Sequence, residues 1–208
     1  MLQMRLVLAS ASPRRRELLR GLDLVFSVSP ADIDETPMSE EAPAHYVERL
    51  AQQKAQALAA VGTTVIAADT VVVFDGEILG KPKDREHAVK ILSRLANRTH
   101  EVATGVAVIA ISPDGERREI SSVETTKVTF GEITPRQLDS FLDGGEYADK
   151  AGSYALLGAS SIFADHVEGS VSNVVGLPLP LLDRLCSQID IDLLSFKLDS
   201  PNQCGTRL

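Results

Sequence analysis

The 208-residue chain is long enough to bury a sizeable core, and its 44% hydrophobic and only 4% aromatic residues predict a core of aliphatic side chains. Its 21 Lys and Arg against 29 Asp and Glu give a formal net charge of −8, which argues against binding of nucleic-acid polymers over a broad basic surface. The longest charge-free runs have 14 residues, fewer than the roughly 18 apolar residues of a membrane-spanning helix. Cys186 and Cys204 do not have the spacing of a Cys-x-x-Cys metal site, so we expect a cytoplasmic protein without membrane contacts.

The N-terminal half alternates between strand and helix patterns. Residues 5–9 predict a strand, and Ser12-Pro13 predicts the start of a helix that Gly21 can end. A second helix is predicted over 43–60, whose apolar face consists of Val47, Leu50, Ala51, Leu58 and Val61. The β-branched run 65–74 predicts a strand, and a tight turn at 75–76 leads into a short strand over 77–79.

The C-terminal half continues this alternation. A helix is predicted over 84–96, two extended segments over 101–111 and 118–130 with a turn at 112–115, and a helix from 134 to about 142. Strand-like pieces follow around 161–168 and 173–175, and Pro178 predicts the start of a last helix. The chain is therefore predicted to be one α/β domain with mixed strands over 1–198, with a disordered tail over 199–208.

The arginines at 14–16 stand where a helix is predicted to begin. Cations there oppose the positive end of the helix dipole by about 0.3–1 kcal/mol each. One interpretation is a solvated cluster paired with nearby acids such as Glu17. The other is a phosphate cradle, because a helix N-terminus already presents unpaired N–H groups.

Other charged residues also stand at unexpected places. Asp69 interrupts an apolar strand, where a carboxylate must be hydrogen-bonded, paired or bound to a metal, so a structural and a catalytic role both stay open. Lys54 lies on the apolar face of its helix, and either reaches the surface or points inward. Lys81 and Lys150 follow and precede glycine-containing loops. Together these charges suggest a site for a small polyphosphate and a divalent metal, with Asp69, Asp32, Asp34 and Glu35 as candidate ligands.

Several motifs, taken in order, resemble the Maf family of nucleoside triphosphate pyrophosphatases. They are Leu8-Ala9-Ser10-Ala11-Ser12-Pro13-Arg14-Arg15, Ala68-Asp69-Thr70-Val71-Val72, Gly80-Lys81-Pro82, Thr104-Gly105-Val106, Asp149-Lys150-Ala151-Gly152 and Val174-Val175-Gly176-Leu177-Pro178. The resemblance covers about residues 5 to 185. No Walker A or Gly-x-Gly-x-x-Gly pattern competes with it.

The resemblance implies a fold, an activity and a set of site residues. The fold is an elongated mixed β-sheet flanked by helices with a central cleft, and the reaction hydrolyses a nucleoside triphosphate to its monophosphate and pyrophosphate with Mg²⁺ or Mn²⁺. Asp69 would accept the proton of the attacking water, and Glu35 and Asp69 would hold the metal. The implied substrate contacts are Ser10, Arg14, Arg15, Lys54, Thr70, Lys81, Lys150 and Leu157.

Residues next to these motifs bear on the preferred base. Arg14 after Pro13 and Thr70 after Asp69 resemble the dTTP/UTP branch of the family, whereas the 7-methyl-GTP branch typically has Trp and Gln there. Leu157 stands where the first branch has Gln, and it cannot make the hydrogen bonds of an amide to a base. We expect a dTTP/UTP pyrophosphatase, with a 7-methyl-GTP-type pyrophosphatase and a nucleotide-binding regulator of cell division as alternatives. Analogy with similar folds suggests a homodimer.

Overall fold

A mixed β-sheet forms the centre of the computed structural model, which describes residues 4–197. Within this range the sheet has seven strands: β1 (Arg5–Leu8), β2 (Phe26–Val28), β3 (Thr63–Phe74), β4 (Glu77–Leu79), β5 (Thr99–Ile111), β6 (Arg117–Phe130) and β7 (Ala164–Glu168). The order is β2-β1-β3-β5-β6-β7, and β4 pairs with β3. β1 runs parallel to both β2 and β3, and the remaining pairs are antiparallel. The predicted α/β class with mixed strands is confirmed.

Helices cover both faces of this sheet. In the described residues they are α1 (Pro13–Arg20), α2 (Pro43–Leu58), α3 (Arg85–Leu95), α4 (Pro135–Asp143), α5 (Val171–Val175) and α6 (Leu179–Gln188), with 3₁₀ turns at Ala151–Ser153, Ala159–Phe163 and Leu193–Phe196. Among residues 4–197, every helix is too short or too polar to cross a lipid bilayer.

Alternation along β3 and β5 divides the core between the two faces of the sheet. On one face, the apolar side of α2 packs on residues such as Ala67 and Ala107. On the other face, α1 and α6 pack on a core around Ile66 and Val108 at one end of the strands. A further core, around Val72 and including side chains of α3 and α4, lies at the other end. Successive side chains of a strand point to opposite faces of the sheet, so β3 contributes side chains to each of these three cores.

The edge of β3 is interrupted midway, and we call this interruption the notch. β1 pairs with β3 only as far as Ile66, and β4 begins to pair at Val72. Over the residues between, 67–71, no strand of the described chain pairs with this edge. Unpaired backbone groups need other partners when they are buried, and the side chain of Arg15 donates a hydrogen bond to the carbonyl of Ala68 here.

Three predicted elements are corrected by the structure, and one strand was missed. Residues 173–175 are not a strand but the end of helix α5, because Ser170 accepts a hydrogen bond from the Asn173 backbone N–H and Gly176, at φ 119°, ends the helix. Val61 lies beyond α2, which ends at Leu58, and is exposed. The strand predicted around 161–168 begins only at 164, after a 3₁₀ turn, and β2 was not predicted. The disordered tail predicted over 199–208 lies outside the described residues.

Candidate active site

A cleft of about 650 Å³ opens at the notch. Its lining includes ten of the twelve residues predicted from the sequence to bind substrate or metal, all but Asp32 and Asp34: Ser10, Arg14, Arg15, Glu35, Lys54, Asp69, Thr70, Lys81, Lys150 and Leu157. These residues come from distant parts of the chain. The structure thus brings the predicted site residues together in one place.

The loop between β1 and α1 forms one wall of the cleft. Ser12 is the N-cap of α1 and accepts a hydrogen bond from the Arg15 backbone N–H at 3.5 Å, and Pro13 occupies the first helical position. This cap fixes the directions of the arginines that follow. Arg14 is half-buried and lines the cleft, whereas Arg15 turns inward and is buried. The interpretation of a solvated arginine cluster is therefore wrong for Arg15.

Four hydrogen bonds hold the buried guanidinium of Arg15. Nε donates to the carbonyl of Gly176 at 2.8 Å, Nη1 to Ser10 Oγ at 3.1 Å and to the carbonyl of Ala68 at 2.6 Å, and Nη2 to Thr70 Oγ1 at 2.9 Å. Burial lowers the pKa of this guanidinium, and the negative charge of Asp69 opposes that effect. Of the five N–H groups of arginine, one remains for a ligand.

Thr70 continues this network away from the cleft. Arginine can only donate, so Thr70 Oγ1 accepts from Arg15, and the Thr70 hydroxyl also lies 3.0 Å from Thr104 Oγ1 and 3.4 Å from the carbonyl oxygen of Gly176. Thr104 in turn donates to the carbonyl of Asn173 at 3.2 Å. The Asn173 amide donates to the carbonyl of Val102 at 2.9 Å. A buried chain of hydrogen bonds therefore joins α1, β3, β5 and α5 beneath the cleft.

Lys54 bridges the two carboxylates of the site. Its ammonium lies 2.6 Å from Asp69 Oδ1 and 2.6 Å from Glu35 Oε1. The side chains of Lys54 and Asp69 are only 10% and 14% exposed, whereas that of Glu35 is 57% exposed. Of the two orientations that the sequence left open for Lys54, the structure shows the inward one. Partly buried charges at this distance interact more strongly than a surface pair.

Tyr46 also lines the cleft, and it was missed by the sequence interpretation. Its hydroxyl donates to the backbone carbonyl of Glu35 at 2.8 Å, and so ties the loop before α2 to the helix itself. Partial burial raises the pKa of this hydroxyl, and the charges of Asp69 and Glu35 add to the effect. Tyr46 lies eight residues before Lys54, which places both on nearby faces of α2. That spacing was the one available signal.

Two further lysines line the cleft. Lys81 is exposed and follows β4, and Lys150 is half-buried and bonded to Asp149 Oδ1 at 2.7 Å and to the carbonyl of Glu146. The hydrogen bond from Lys150 is the main cause of the lowered pKa of Asp149, to which the charge of Arg14 also contributes. The lining of the cleft therefore combines Asp69 with several cations.

An apolar segment closes one end of the cleft. Leu157 is 60% exposed there, and Tyr154 is buried. Tyr154 Oη hydrogen-bonds to His100 Nε2 at 2.7 Å, and Ser160 Oγ bonds both the N–H and the carbonyl of Ala155. These bonds fix both ends of the segment that presents Leu157. At this end the cleft therefore presents the apolar side chain of Leu157, where a glutamine would present an amide.

Glu35 and Asp69 fit a divalent metal that is shared with a substrate. Their carboxylates come from different elements and approach one point, now taken by the Lys54 ammonium. Mg²⁺ typically takes one or two carboxylates together with substrate phosphates and water. Among residues 4–197 there is no cluster of three or more His, Cys, Asp or Glu that could hold a metal alone. Asp32 and Asp34 are exposed, and the Asp34 carboxylate accepts from Thr36.

Comparison with known proteins gives one consistent result. The family described as Maf-like protein matches residues 5–189. A dTTP/UTP pyrophosphatase of Myxococcus xanthus (strain DK1622) is 51% identical over 84% of this chain and 87% of its own length. A dTTP/UTP pyrophosphatase of Desulforamulus reducens is 46% identical over 91% and 98% of the two chains. A solved HAM1 protein from Coxiella burnetii aligns with a TM-score of 0.49 and 13% identity, covering 89% of this chain and 100% of the other.

Proposed function

The chain belongs to the Maf family, and from this membership and the cleft we propose that it is a hydrolase that converts dTTP and UTP to their monophosphates and pyrophosphate. The proposal rests on one observation: the Lys54 ammonium lies 2.6 Å from a carboxylate oxygen of Asp69 and 2.6 Å from one of Glu35. The cleft around them is also lined by Arg14, Lys81 and Lys150. A protein with net charge −8 has thus collected cations around one partly buried acid. The relatives named dTTP/UTP pyrophosphatase support the choice of substrate.

Asp69 is the general base of this proposal. Lys54 holds its Oδ1, which leaves Oδ2 to accept a proton from a water molecule. The water oxygen then attacks the α-phosphorus, the bond from that phosphorus to the bridging oxygen breaks, and pyrophosphate leaves with the electron pair. A correctly placed general base contributes typically 10²–10⁴-fold to such a step.

The cations stabilise the charge that develops on the phosphates. Arg14, Lys81 and Lys150 line the cleft with side chains that are exposed or half-buried, so each can turn toward a triphosphate. Arg15 has one N–H group left without a partner among the described residues, and in this proposal it adds a fixed positive charge beside the phosphates. Fixed cations beside a departing pyrophosphate act mainly on the transition state, where the charge is largest.

Glu35 and Asp69 would hold the divalent cation, Mg²⁺ or Mn²⁺, together with substrate phosphates. A cation bound there would supply positive charge next to the α-phosphate and position the triphosphate. In this proposal Lys54 yields part of its contact with the carboxylates and turns toward the phosphates. The proposed enzyme would act in the cytoplasm, where it would remove dTTP, UTP or modified relatives from the nucleotide pool. A homodimer stays a prediction from analogy, which light scattering can test.

A panel of triphosphates tests the proposed function. Pyrophosphate release is measured for dTTP, UTP, CTP, GTP, ATP and 7-methyl-GTP with Mg²⁺ and with Mn²⁺, and the products are identified by chromatography. We expect multiple turnovers with dTTP and UTP and release of pyrophosphate rather than phosphate. Absence of turnover with every triphosphate would remove the proposal, and nucleotide binding without turnover would favour the regulator.

A further inference from the structure

The backbone of helix α2 lies very close to the sheet at Gly105 of β5. A Cβ atom built on Gly105 would lie 2.3 Å from the backbone oxygen of Val47 and 2.6 Å from the backbone nitrogen of Glu48. Non-bonded heavy atoms pack at about 3.5–4 Å, so an alanine would have to move α2 away from β5 by about 1 Å. The atoms in the way belong to the helix backbone and cannot rotate aside as a side chain can. Any side chain at position 105 therefore increases the distance between α2 and the sheet.

The contact at Gly105 lies directly beside the site. Gly105 pairs with Asp69 across β3 and β5, and both residues are on the face of the sheet that α2 covers. Val47, which meets Gly105, and Lys54, which meets Asp69, are both on the buried side of α2, seven residues and about two helical turns apart. The distance from helix to sheet at Gly105 therefore also sets the distance from helix to sheet at Asp69.

Helix α2 carries more of the site than Lys54 alone. Tyr46, on its first turn, donates to the backbone carbonyl of Glu35 at 2.8 Å, so the loop with Glu35 is attached to the helix. Asp69 instead belongs to β3 and stays with the sheet. A shift of α2 would thus move Lys54 and Glu35 together relative to Asp69. A longer side chain at position 54 could restore the contact with Asp69, but the separation of the two carboxylates would stay changed.

We propose that Gly105 is a positioning residue that, by having no side chain, sets the separation between Asp69 on the sheet and the Lys54 and Glu35 groups carried by α2. Where turnover is the readout, this inference rests on the proposed function. The labelling readout below is independent of it. The role explains why a glycine stands in the middle of a central strand, where its flexibility is unfavourable and where its φ lies outside the left-handed region.

The first test measures the accessibility of Lys54 and needs no substrate. Intact protein is treated with an amine-reactive acetylating reagent, and the rate at Lys54 is compared by mass spectrometry with the exposed Lys83 and Lys90 of the same molecule. For Gly105→Ala we expect the relative rate at Lys54 to rise at least about fivefold, since a displaced ammonium loses its buried ion pairs. Gly131→Ala is the matched control, because the three atoms nearest to its added Cβ belong to the exposed side chain of Asp165 and not to a backbone.

The second test uses turnover and a compensating change. Gly105→Ala should lower kcat/KM for UTP on the order of 10–100-fold, the scale of a 1 Å misplacement in an active site. Arginine reaches one bond further than lysine. In the wild type, Lys54→Arg should therefore lower kcat/KM, whereas in the Gly105→Ala protein it should raise kcat/KM at least about threefold. A merely destabilising glycine substitution would show no such recovery. The proposal would therefore be overturned if Lys54→Arg changed kcat/KM by the same factor in the wild type and in the Gly105→Ala protein.

The remaining outcomes are also decisive. If folded Gly105→Ala labels at Lys54 like the wild type, the proposal is wrong whatever the activity. If the wild type hydrolyses no triphosphate, the proposed function fails while the labelling comparison still decides the role of Gly105. If Gly105→Ala does not fold, Ala51→Val replaces it, because Ala51 lies between Val47 and Lys54 on the face of α2 that is buried against the sheet. Unchanged labelling in that variant would overturn the proposal as well.

Discussion

Arg14 and Arg15 have the same chemistry and adjacent positions, but the structure gives them different surroundings. Arg14 lines the cleft and is half-buried, whereas Arg15 replaces a missing strand partner by donating to the carbonyls of Ala68 and Gly176. The first arginine is placed to meet a substrate. The second mainly holds the notch in shape and offers one N–H group to a ligand.

Lysine substitutions separate these two roles. We expect Arg15→Lys to lower the free energy of unfolding by about 3 kcal/mol, because buried carbonyl groups lose their donors and each costs about 1–3 kcal/mol. Arg14→Lys should change it by less than about 0.5 kcal/mol and act mainly by raising KM. Urea unfolding and steady-state kinetics measure both effects. An equal loss of stability in the two variants would contradict the assignment.

Asp69→Asn tests the general base. The amide keeps the shape of the carboxylate but cannot take a proton from water, so we expect kcat to fall on the order of 10²–10⁴-fold. Pyrophosphate release at saturating UTP gives kcat, and circular dichroism checks that the fold is retained. Glu77→Gln, which removes an exposed carboxylate paired with Arg94, is the control and should leave kcat unchanged. Turnover that survives in Asp69→Asn would make Asp69 structural.

Leu157→Gln tests the base end of the cleft. Leu157 is 60% exposed, so the substitution should alter stability by less than about 0.5 kcal/mol. An amide can hydrogen-bond to the edge of a base, and we expect the ratio of kcat/KM for UTP over CTP to rise about tenfold. Competition between the two nucleotides in one reaction measures that ratio directly. An unchanged ratio would show that Leu157 does not contact the base.

At the scale of elements, α5 is where local sequence preference was overruled. Val171, Val174 and Val175 favour a strand, but Ser170 caps the helix and the buried Asn173 side chain bonds β5 and β6. Ser170→Ala should therefore lower the free energy of unfolding by about 1 kcal/mol. Val171→Ala, at the exposed neighbouring position, should change it by less than about 0.5 kcal/mol. Chemical unfolding compares the two, and equal effects would refute the capping role.

The same elements show how far the sequence alone could lead. Long periodic segments such as α2 and the apolar run of β3 are dictated by local pattern, and they were predicted correctly. The inward direction of Lys54 and the separate roles of Arg14 and Arg15 depend on partners far along the chain. Glu35 and Asp69 come together only because the notch leaves room beside β3. No spacing rule encodes such long-range contacts, so the sequence predicted many of the residues that line the cleft but not how they contact one another there.

At the scale of the whole molecule, a buried histidine links stability to pH. Burial lowers the pKa of His100 from 6.5 to about 4. Its contribution to stability is complete above pH 6.5 and is lost as the pH falls toward 4, because only the unfolded chain takes up the proton. From pH 7 to pH 5 the free energy of unfolding should fall by about 2 kcal/mol from this residue.

His100→Phe isolates that contribution. Phenylalanine fits among the rings of Phe130 and Tyr154, so the fold should be retained even though the Tyr154 hydroxyl loses its partner. The other three histidines remain in both proteins and cancel in the comparison. Urea unfolding gives the free energy of unfolding at pH 7 and pH 5, and the fall between the two pH values should be about 2 kcal/mol smaller in the variant than in the wild type. Identical dependence would mean that His100 titrates normally in the folded protein.

The notch has a mechanical consequence for the molecule. On the face of the sheet opposite α2, the core around Ile66 and the core around Val72 are joined through the long strands β3, β5 and β6. A small change in the twist of these strands would alter the width of the opening while both cores keep their packing. The gap thus places the cleft between two separately packed cores that the sheet joins.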